Sequence, residues 1–253
     1  MTLPTAFLDI PLAHRALHDL SARRPENSRA AVRAAVDAGV GIEIDLQLSA
    51  DNKAMVFHDY ALERLTPERG AVRLREASAL AAIPLKGGDE GIPTLEEILD
   101  LIAGRVPLLV EFKDQDGAMG PDVGPLETAA AELLGRYRGD LAVMSFNPHS
   151  VRALARLLPD VPRGLTTSAY RPDEWPLPEA TCDRLSGIPD YADTGSCFIS
   201  HEADDLNRPR VAELKAEGAA VLCWTIRSQA EEDIARQVAQ NVTFEGYLPR
   251  PRS

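Results

Sequence analysis

The stretch GIEIDLQLSADNKAMVFHD, residues 41–59, decides how the chain is read. Ile42, Ile44 and Leu46 give it the character of a buried strand, yet Glu43 and Asp45 sit between them and the run closes on His58 and Asp59. Alternate side chains of a strand project to one face, so the two carboxylates stand side by side, roughly 6.5–7 Å apart at the backbone. Buried anions at that spacing repel each other, and each is costly to take out of water. A hard divalent cation between them resolves both problems, because Mg2+ and Ca2+ prefer carboxylate oxygens.

Outward from this stretch, short apolar runs alternate with alanine-rich amphipathic segments. Strands are expected at 7–14, 40–48, 106–113, 141–146, 162–167, 197–201, 219–226 and 241–247, all rich in Val, Ile, Leu and Phe. Helical patterns such as SRAAVRAAVDAG and TLEEILDLIAG lie between them, opening on Ser or Thr and closing on Gly. Eight strands alternating with helices in 253 residues predict a (β/α)8 barrel forming one domain over 1–253. An open, doubly wound sheet remains the competing arrangement, although no GxGxxG follows the first strand. Residues 59–93 read as an insertion after the second strand unit, placed over the barrel mouth. Residues 168–196, rich in Pro, Asp and Ser, read as a second irregular segment.

Further candidate groups fall at the same strand ends. Glu111 closes VPLLVEFK and offers a third carboxylate, with Lys113 two residues on and so on the same face. His14 ends the first strand beside Arg15, and His58 ends MVFHD. Two histidines at matching depth beside an oxygen-ligand metal site suit general acid and base roles. Trp224 and His201, near the ends of later strands, are the remaining candidates for contact with substrate. Glu26 and Asn27 precede a helix, where capping explains them without catalysis.

Composition narrows the partners. The 39 acidic and 27 basic side chains give a net charge of −12, a surface that repels nucleic acid and anionic lipid headgroups. The three cysteines, Cys182, Cys197 and Cys223, form no CxxC pair and suit a reducing compartment. No run approaches ~18 apolar residues and no export signal opens the chain, so the expected location is cytoplasmic. The oligomeric state is left open.

HRALHD (14–19), PENS (25–28), GIEIDLQLSAD (41–51), VFHD (56–59), LERLT (62–66), IPTLEEIL (92–99) and LLVEFK (108–113) together resemble the glycerophosphodiester phosphodiesterase family. MSFNP (144–148) and CWTIRS (223–228) extend the likeness over nearly the whole chain, in order. The resemblance implies a (β/α)8 barrel with an insertion after the second strand. It also implies cleavage of glycerophosphodiesters, small-molecule substrates, to glycerol 3-phosphate and an alcohol with the help of a divalent cation. By it Glu43, Asp45 and Glu111 are metal ligands, His14 and His58 the acid and base, and Arg15 and Lys113 phosphate contacts. The PEN stretch, with Glu26 and Asn27, is by the same resemblance placed beside the site in a supporting role. Ligation by carboxylates alone admits Mg2+, Ca2+ and Mn2+. The chain departs from the family pattern at Ala16, where glycine is usual, and at Glu245, where an aspartate motif is common. An alanine at 16 is expected either to crowd the backbone or to require φ < 0. Two other readings keep the same site. One is a phosphodiesterase for lysophospholipids or sphingomyelin-type headgroups, which needs an apolar lip that the polar loops do not announce. The other is a barrel that binds a phosphorylated polyol without turnover.

Overall fold

Runs of Val, Ile, Leu and Phe too short for stable helices become the strands. In the computed structural model, which describes residues 1–250, they are β1 (Leu12–Ala13), β2 (Gly41–Leu48), β3 (Ala54–Val56), β4 (Leu108–Phe112), β5 (Leu141–Ser145), β6 (Arg163–Thr167), β7 (Phe198–Glu202), β8 (Ala220–Ile226) and β9 (Asn241–Phe244). All but β3 run parallel, and β1 pairs with both β2 and β9, so the eight close on themselves. This is the (β/α)8 barrel expected from the pattern. The remaining strand, β3, folds back antiparallel on the end of β2 and pairs Val56 with Leu46.

The helices are α1 (Ala6–Asp9), α2 (Arg29–Ala38), α3 (Ala77–Ala81), α4 (Leu95–Ile102), α5 (Pro125–Leu134), α6 (Pro148–Leu157), α7 (Glu179–Ser186), α8 (Pro209–Ala216) and α9 (Gln229–Ala235). Local chemistry sets their ends. Ser28 Oγ accepts the Ala31 N–H at 3.1 Å to start α2, and Gly39 ends it at φ 68°. Thr94 and Glu97 form a reciprocal capping box on α4. Outward side chains of the strands, Ile42, Ile44, Leu46 and Val110 among them, pack against Ala31, Val32, Ile98 and Leu126 of the helices. None of these helices is long and apolar enough to cross a membrane, among the described residues.

Only Leu12–Ala13 of the expected 7–14 strand is extended. The preceding residues coil into α1, which carries the fully buried Phe7 beneath the barrel. Asn241 on β9 holds this turn, its Nδ2 donating to the carbonyls of Phe7 and Ile10 at 2.8 and 2.7 Å. The pattern of apolar residues was the same for either conformation; a partner far along the chain decided between them. Residues 168–196 also contain a helix, α7, which their composition did not signal.

Inward-facing side chains fill the lower barrel. Phe7, Leu12, Leu109, Ala142, Phe198 and Leu222 form one cluster there. Such a core works only if large groups face small ones. Gly41 makes room for Leu12, and Gly164 for the ring of Phe198. Around 59–93, Phe57, Leu62, Val72, Leu80, Ile83 and Ile92 make a separate small core beside the main one.

An alanine Cβ at position 164 would meet two ring carbons of Phe198 at 2.5 Å and its carbonyl oxygen at 2.6 Å. Because one obstacle is backbone, a rotamer change alone cannot relieve it. Gly164→Ala should therefore cost about 1–3 kcal/mol of stability. Thermal unfolding followed by circular dichroism should show Tm lowered by roughly 2–10 °C; an unchanged Tm would mean that Phe198 does not fill the space above Gly164.

Candidate active site

Barrel closure brings the decisive stretch and its partner strand into register. Asp45 on β2 lies opposite Glu111 on β4, and Glu43 opposite Leu109. Glu43, Asp45 and Glu111 all point into the barrel near the C-terminal strand ends and are 1%, 1% and 5% exposed. One oxygen from each lies within 4.8 Å of the other two. Lys113, just beyond β4, reaches Asp45 Oδ1 at 2.8 Å and also bonds Glu111 Oε1. The three carboxylates and the ammonium read from spacing thus meet at one point.

The charges respond to this crowding. Burial, with Asp45 and Glu111 adding their repulsion, pushes the Glu43 carboxyl well above its ordinary range. Burial opposes ionisation of Asp45 too, but Lys113, His58 and Arg15 outweigh it and hold Asp45 far below the usual carboxylate range. Lys113 is likewise held above its ordinary value: burial works against its charge, and the Asp45 and Glu111 carboxylates overcome that. The donors are all hard oxygens, the set that fits Mg2+ or Ca2+, and a second cation there would relieve the repulsion felt by Glu43.

Backbone strain at the end of β1 aims a further group at the cluster. Arg15 and Ala16 take φ values of 54° and 64°, the left-handed region that costs a residue with a Cβ roughly 1–2 kcal/mol. This turn directs the Arg15 N–H to Glu43 Oε2 at 2.9 Å and the Ala16 N–H to the Glu43 carbonyl, also at 2.9 Å. Ala16 therefore keeps the conformation natural to glycine instead of moving to φ < 0. The Arg15 guanidinium bonds Glu26 Oε1 at 2.8 Å and approaches Asp45 at 3.7 Å.

Each histidine is anchored at Nδ1 by a carboxylate. His14 meets Glu245 Oε2 at 2.9 Å, and Arg227 grips the other oxygen of Glu245 at 2.7 Å. His58 meets Asp59 Oδ1 at 2.7 Å, and Arg64 holds Asp59 while also binding Glu26. Burial lowers the His14 pKa to about 4 despite its bond to Glu245. A neutral His14 beside an ionised Glu245 must carry its proton on Nδ1, which leaves the Nε2 lone pair free. Gln47 positions the other histidine by donating to the His58 carbonyl at 3.0 Å.

His14, Arg15, Glu43, His58, Glu111 and Lys113 line one cavity of about 180 Å³, together with Trp224. The Trp224 indole N–H is fixed on the Ser200 carbonyl at 3.0 Å. His201 does not join them. It lies on the outward face of β7, fully buried, between Thr167 Oγ1 at 2.8 Å and Asp205 Oδ2 at 3.2 Å. The strand-end position was read correctly, but the two-residue alternation puts Ser200 inside and His201 outside, which corrects its reading as a substrate contact.

Glu26 and Asn27, for which the resemblance implied a supporting place beside the site, both reach it. Asn27, buried and at φ 57°, donates to Asp45 Oδ2 at 2.9 Å and accepts the Asp45 N–H at 3.3 Å. Glu26 ties Arg15 to Arg64. The signal lay in their chemistry, since an amide and a carboxylate before a helix whose cap is already Ser28 have a donor and an acceptor to spare.

A barrel with converging carboxylates, a lysine and two histidines at the C-terminal strand ends is a frame suited to phosphoric ester hydrolysis. Residues 14–243 match the glycerophosphoryl diester phosphodiesterase family, and the chain belongs to that family of enzymes. The candidate glycerophosphodiester phosphodiesterase YhdW of Bacillus subtilis (strain 168) is 30% identical over 227 residues, 86% of each chain. A phosphodiesterase of Oleispira antarctica, solved with the product sn-glycerol-3-phosphate, superimposes with a TM-score of 0.76 at 25% identity, covering 95% of this chain and 94% of that one. A glycerophosphodiester phosphodiesterase of Thermotoga maritima shares the fold at 0.69 and 20% identity, covering 93% and 94%.

The raised Glu43 carboxyl makes a pH prediction for the metal-free protein. A carboxyl whose pKa is higher in the folded state than its ordinary 4.5 favours folding below that value. Its contribution is lost as pH rises through the folded pKa. Glu43→Gln should flatten the decline of Tm above pH 4.5 in EDTA and also abolish the Tm gain caused by millimolar Mg2+ or Ca2+. A site saturated 100-fold above its Kd stabilises the fold by about 2.7 kcal/mol. Differential scanning calorimetry checks both; equal metal-induced gains in the two proteins would show that the ion binds elsewhere.

Proposed function

We propose that this bowl hydrolyses glycerophosphodiesters to glycerol 3-phosphate and an alcohol, using one divalent cation, Mg2+ or Ca2+ with Mn2+ also admitted by the donors. Glu43, Asp45 and Glu111 would hold the ion, whose bound charge would draw electron density from the phosphoryl oxygens. Arg15 and Lys113 neutralise the remaining phosphate charge. His14, neutral with its Nε2 free, accepts a proton from the attacking water. The nucleophile's oxygen bonds to phosphorus, the bond to the departing alcohol breaks, and His58 delivers a proton to that alkoxide from Nε2. Glu245 and Asp59 fix the two rings so that both Nε2 atoms face one bowl.

The observation that carries this reading is the joint presence, around about 180 Å³, of three converging carboxylates and two carboxylate-anchored histidines. The three free cysteines support a reducing, cytoplasmic setting. The chain is read as a single domain whose 59–93 insertion walls one side of the mouth.

Purified protein incubated with glycerophosphocholine or glycerophosphoethanolamine and Mg2+ or Ca2+ should release glycerol 3-phosphate, measurable by a coupled dehydrogenase assay, and excess EDTA should stop it. His14→Ala and His58→Ala should each lower kcat by about 10²–10⁴-fold, the usual size of a lost proton transfer, with Tm little changed. Folded, metal-loaded protein that binds the diester in a calorimeter but releases no product would support the non-catalytic barrel instead.

A further inference from the structure

LERLT (62–66) belongs to the family likeness, yet none of its side chains lines the bowl. Its Arg64 nevertheless joins the two sides of the site. Nε donates to Asp59 Oδ2 at 2.6 Å and Nη2 to Asp59 Oδ1 at 2.8 Å. Nη1 and Nη2 donate to Glu26 Oε2 and Oε1 at 2.8 and 2.9 Å. Asp59 Oδ1 also meets His58 Nδ1, and Glu26 Oε1 accepts from the Arg15 guanidinium. One guanidinium thus stands between the ring of His58 and the side chain of Arg15.

Ion pairs near a surface often do no more than stitch two segments together. Here the backbone of the insertion is held without that stitch. Leu62 is buried in the small core with Phe57, Val72 and Leu80, and Thr66 Oγ1 donates to the Leu62 carbonyl at 2.9 Å. Lys86 Nζ donates to the carbonyls of Glu63 and Arg64 at 2.6 and 3.2 Å. These contacts aim Arg64, and its guanidinium spends four hydrogen bonds on two carboxylates of the site. That arrangement needs the planar fork of an arginine, since an ammonium is a point charge without it. Burial works against charge on Asp59, but hydrogen bonds from His58 and Arg64 hold its carboxyl far below the ordinary range. Glu26 is lowered too, its burial outweighed by Arg64 and Arg15.

We propose that Arg64 is a positioning residue: it locks the Asp59 carboxylate so that His58 keeps Nε2 turned to the bowl, and through Glu26 it couples that ring to Arg15. This rests on the bowl being the phosphodiesterase site, with His58 protonating the departing alcohol. The fork fixes both oxygens of Asp59. Without it a half-buried carboxylate turns toward water, and the imidazole bonded to it at Nδ1 turns as well. Small displacements of a reacting group are costly to its rate. Arg15 suffers less, because its N–H stays on Glu43 and its Nε stays 3.7 Å from Asp45. The loss therefore falls on turnover more than on binding. The 59–93 insertion, expected only to wall the mouth, supplies in Arg64 a part of the proton-transfer apparatus.

Arg64→Ala and Arg64→Lys, assayed in saturating Mg2+, test this on two diesters. Glycerophosphocholine releases an alkoxide that needs a proton; the para-nitrophenyl ester of glycerol phosphate releases a phenolate that does not. Both variants should lower kcat on glycerophosphocholine by about 10–100-fold, with KM within about threefold, the usual size for removing a group that orients an active-site histidine. On the nitrophenyl ester the loss should shrink to within about threefold, because an acid contributes little to a leaving group that departs unprotonated. Millimolar guanidinium should restore part of the rate of Arg64→Ala, and none of that of Arg64→Lys. An equal loss on both esters, a loss carried by KM, or full kcat in either variant would overturn the proposal and leave the phosphodiesterase reading standing. Wild-type protein that hydrolyses neither ester would remove that reading alone. Magnetic resonance of isotope-labelled histidine then decides about Arg64. The His58 ring signals, identified with His58→Gln, should move in both variants while those of His14 stay, and unmoved His58 signals would overturn the proposal.

Discussion

Three carboxylates forced to within 4.8 Å of one another are the constraint on which the rest of this structure depends. Left to themselves they would separate or protonate, and the raised Glu43 carboxyl measures how far the second tendency goes. The fold resists the first. Barrel closure fixes β2 beside β4, so Asp45 and Glu111 cannot part without breaking the parallel ladder. Lys113 supplies one compensating charge, Arg15 another at longer range, and Asn27 and the Arg15 amide supply neutral donors. The left-handed turn at Arg15 and Ala16 is strained backbone maintained to deliver such a donor to Glu43. The oxygens that converge there are all hard donors, the kind a divalent cation prefers.

Most of the fold and the inner site could be read from the chain because both obey short periods. Alternation by two placed Glu43, Asp45, Glu111 and Lys113 on inward faces, and strand–helix alternation gave the barrel. His14 and His58 followed from lying at strand ends. The same rule failed for His201, since being at the end of a strand says nothing about which side of the sheet a residue occupies; only the register of Phe198 and Ser200 settles that. Long-range partners were equally invisible. Nothing near residue 7 indicates that Asn241 will cap a turn there, and nothing near His14 indicates that Glu245, 231 residues away, will hold its ring.

The acidic balance of the chain raises a question about an anionic substrate, and the site answers it locally. Arg15, Lys113 and Arg227 all line the bowl, while the acids that give the chain its net charge of −12 are mostly dispersed over the surface. At physiological salt the field of distant surface charges fades within about 8 Å. An incoming phosphodiester at the floor of the barrel therefore meets mainly the nearby cations. The whole-chain charge still matters outside that distance, where it disfavours lingering on anionic bilayers.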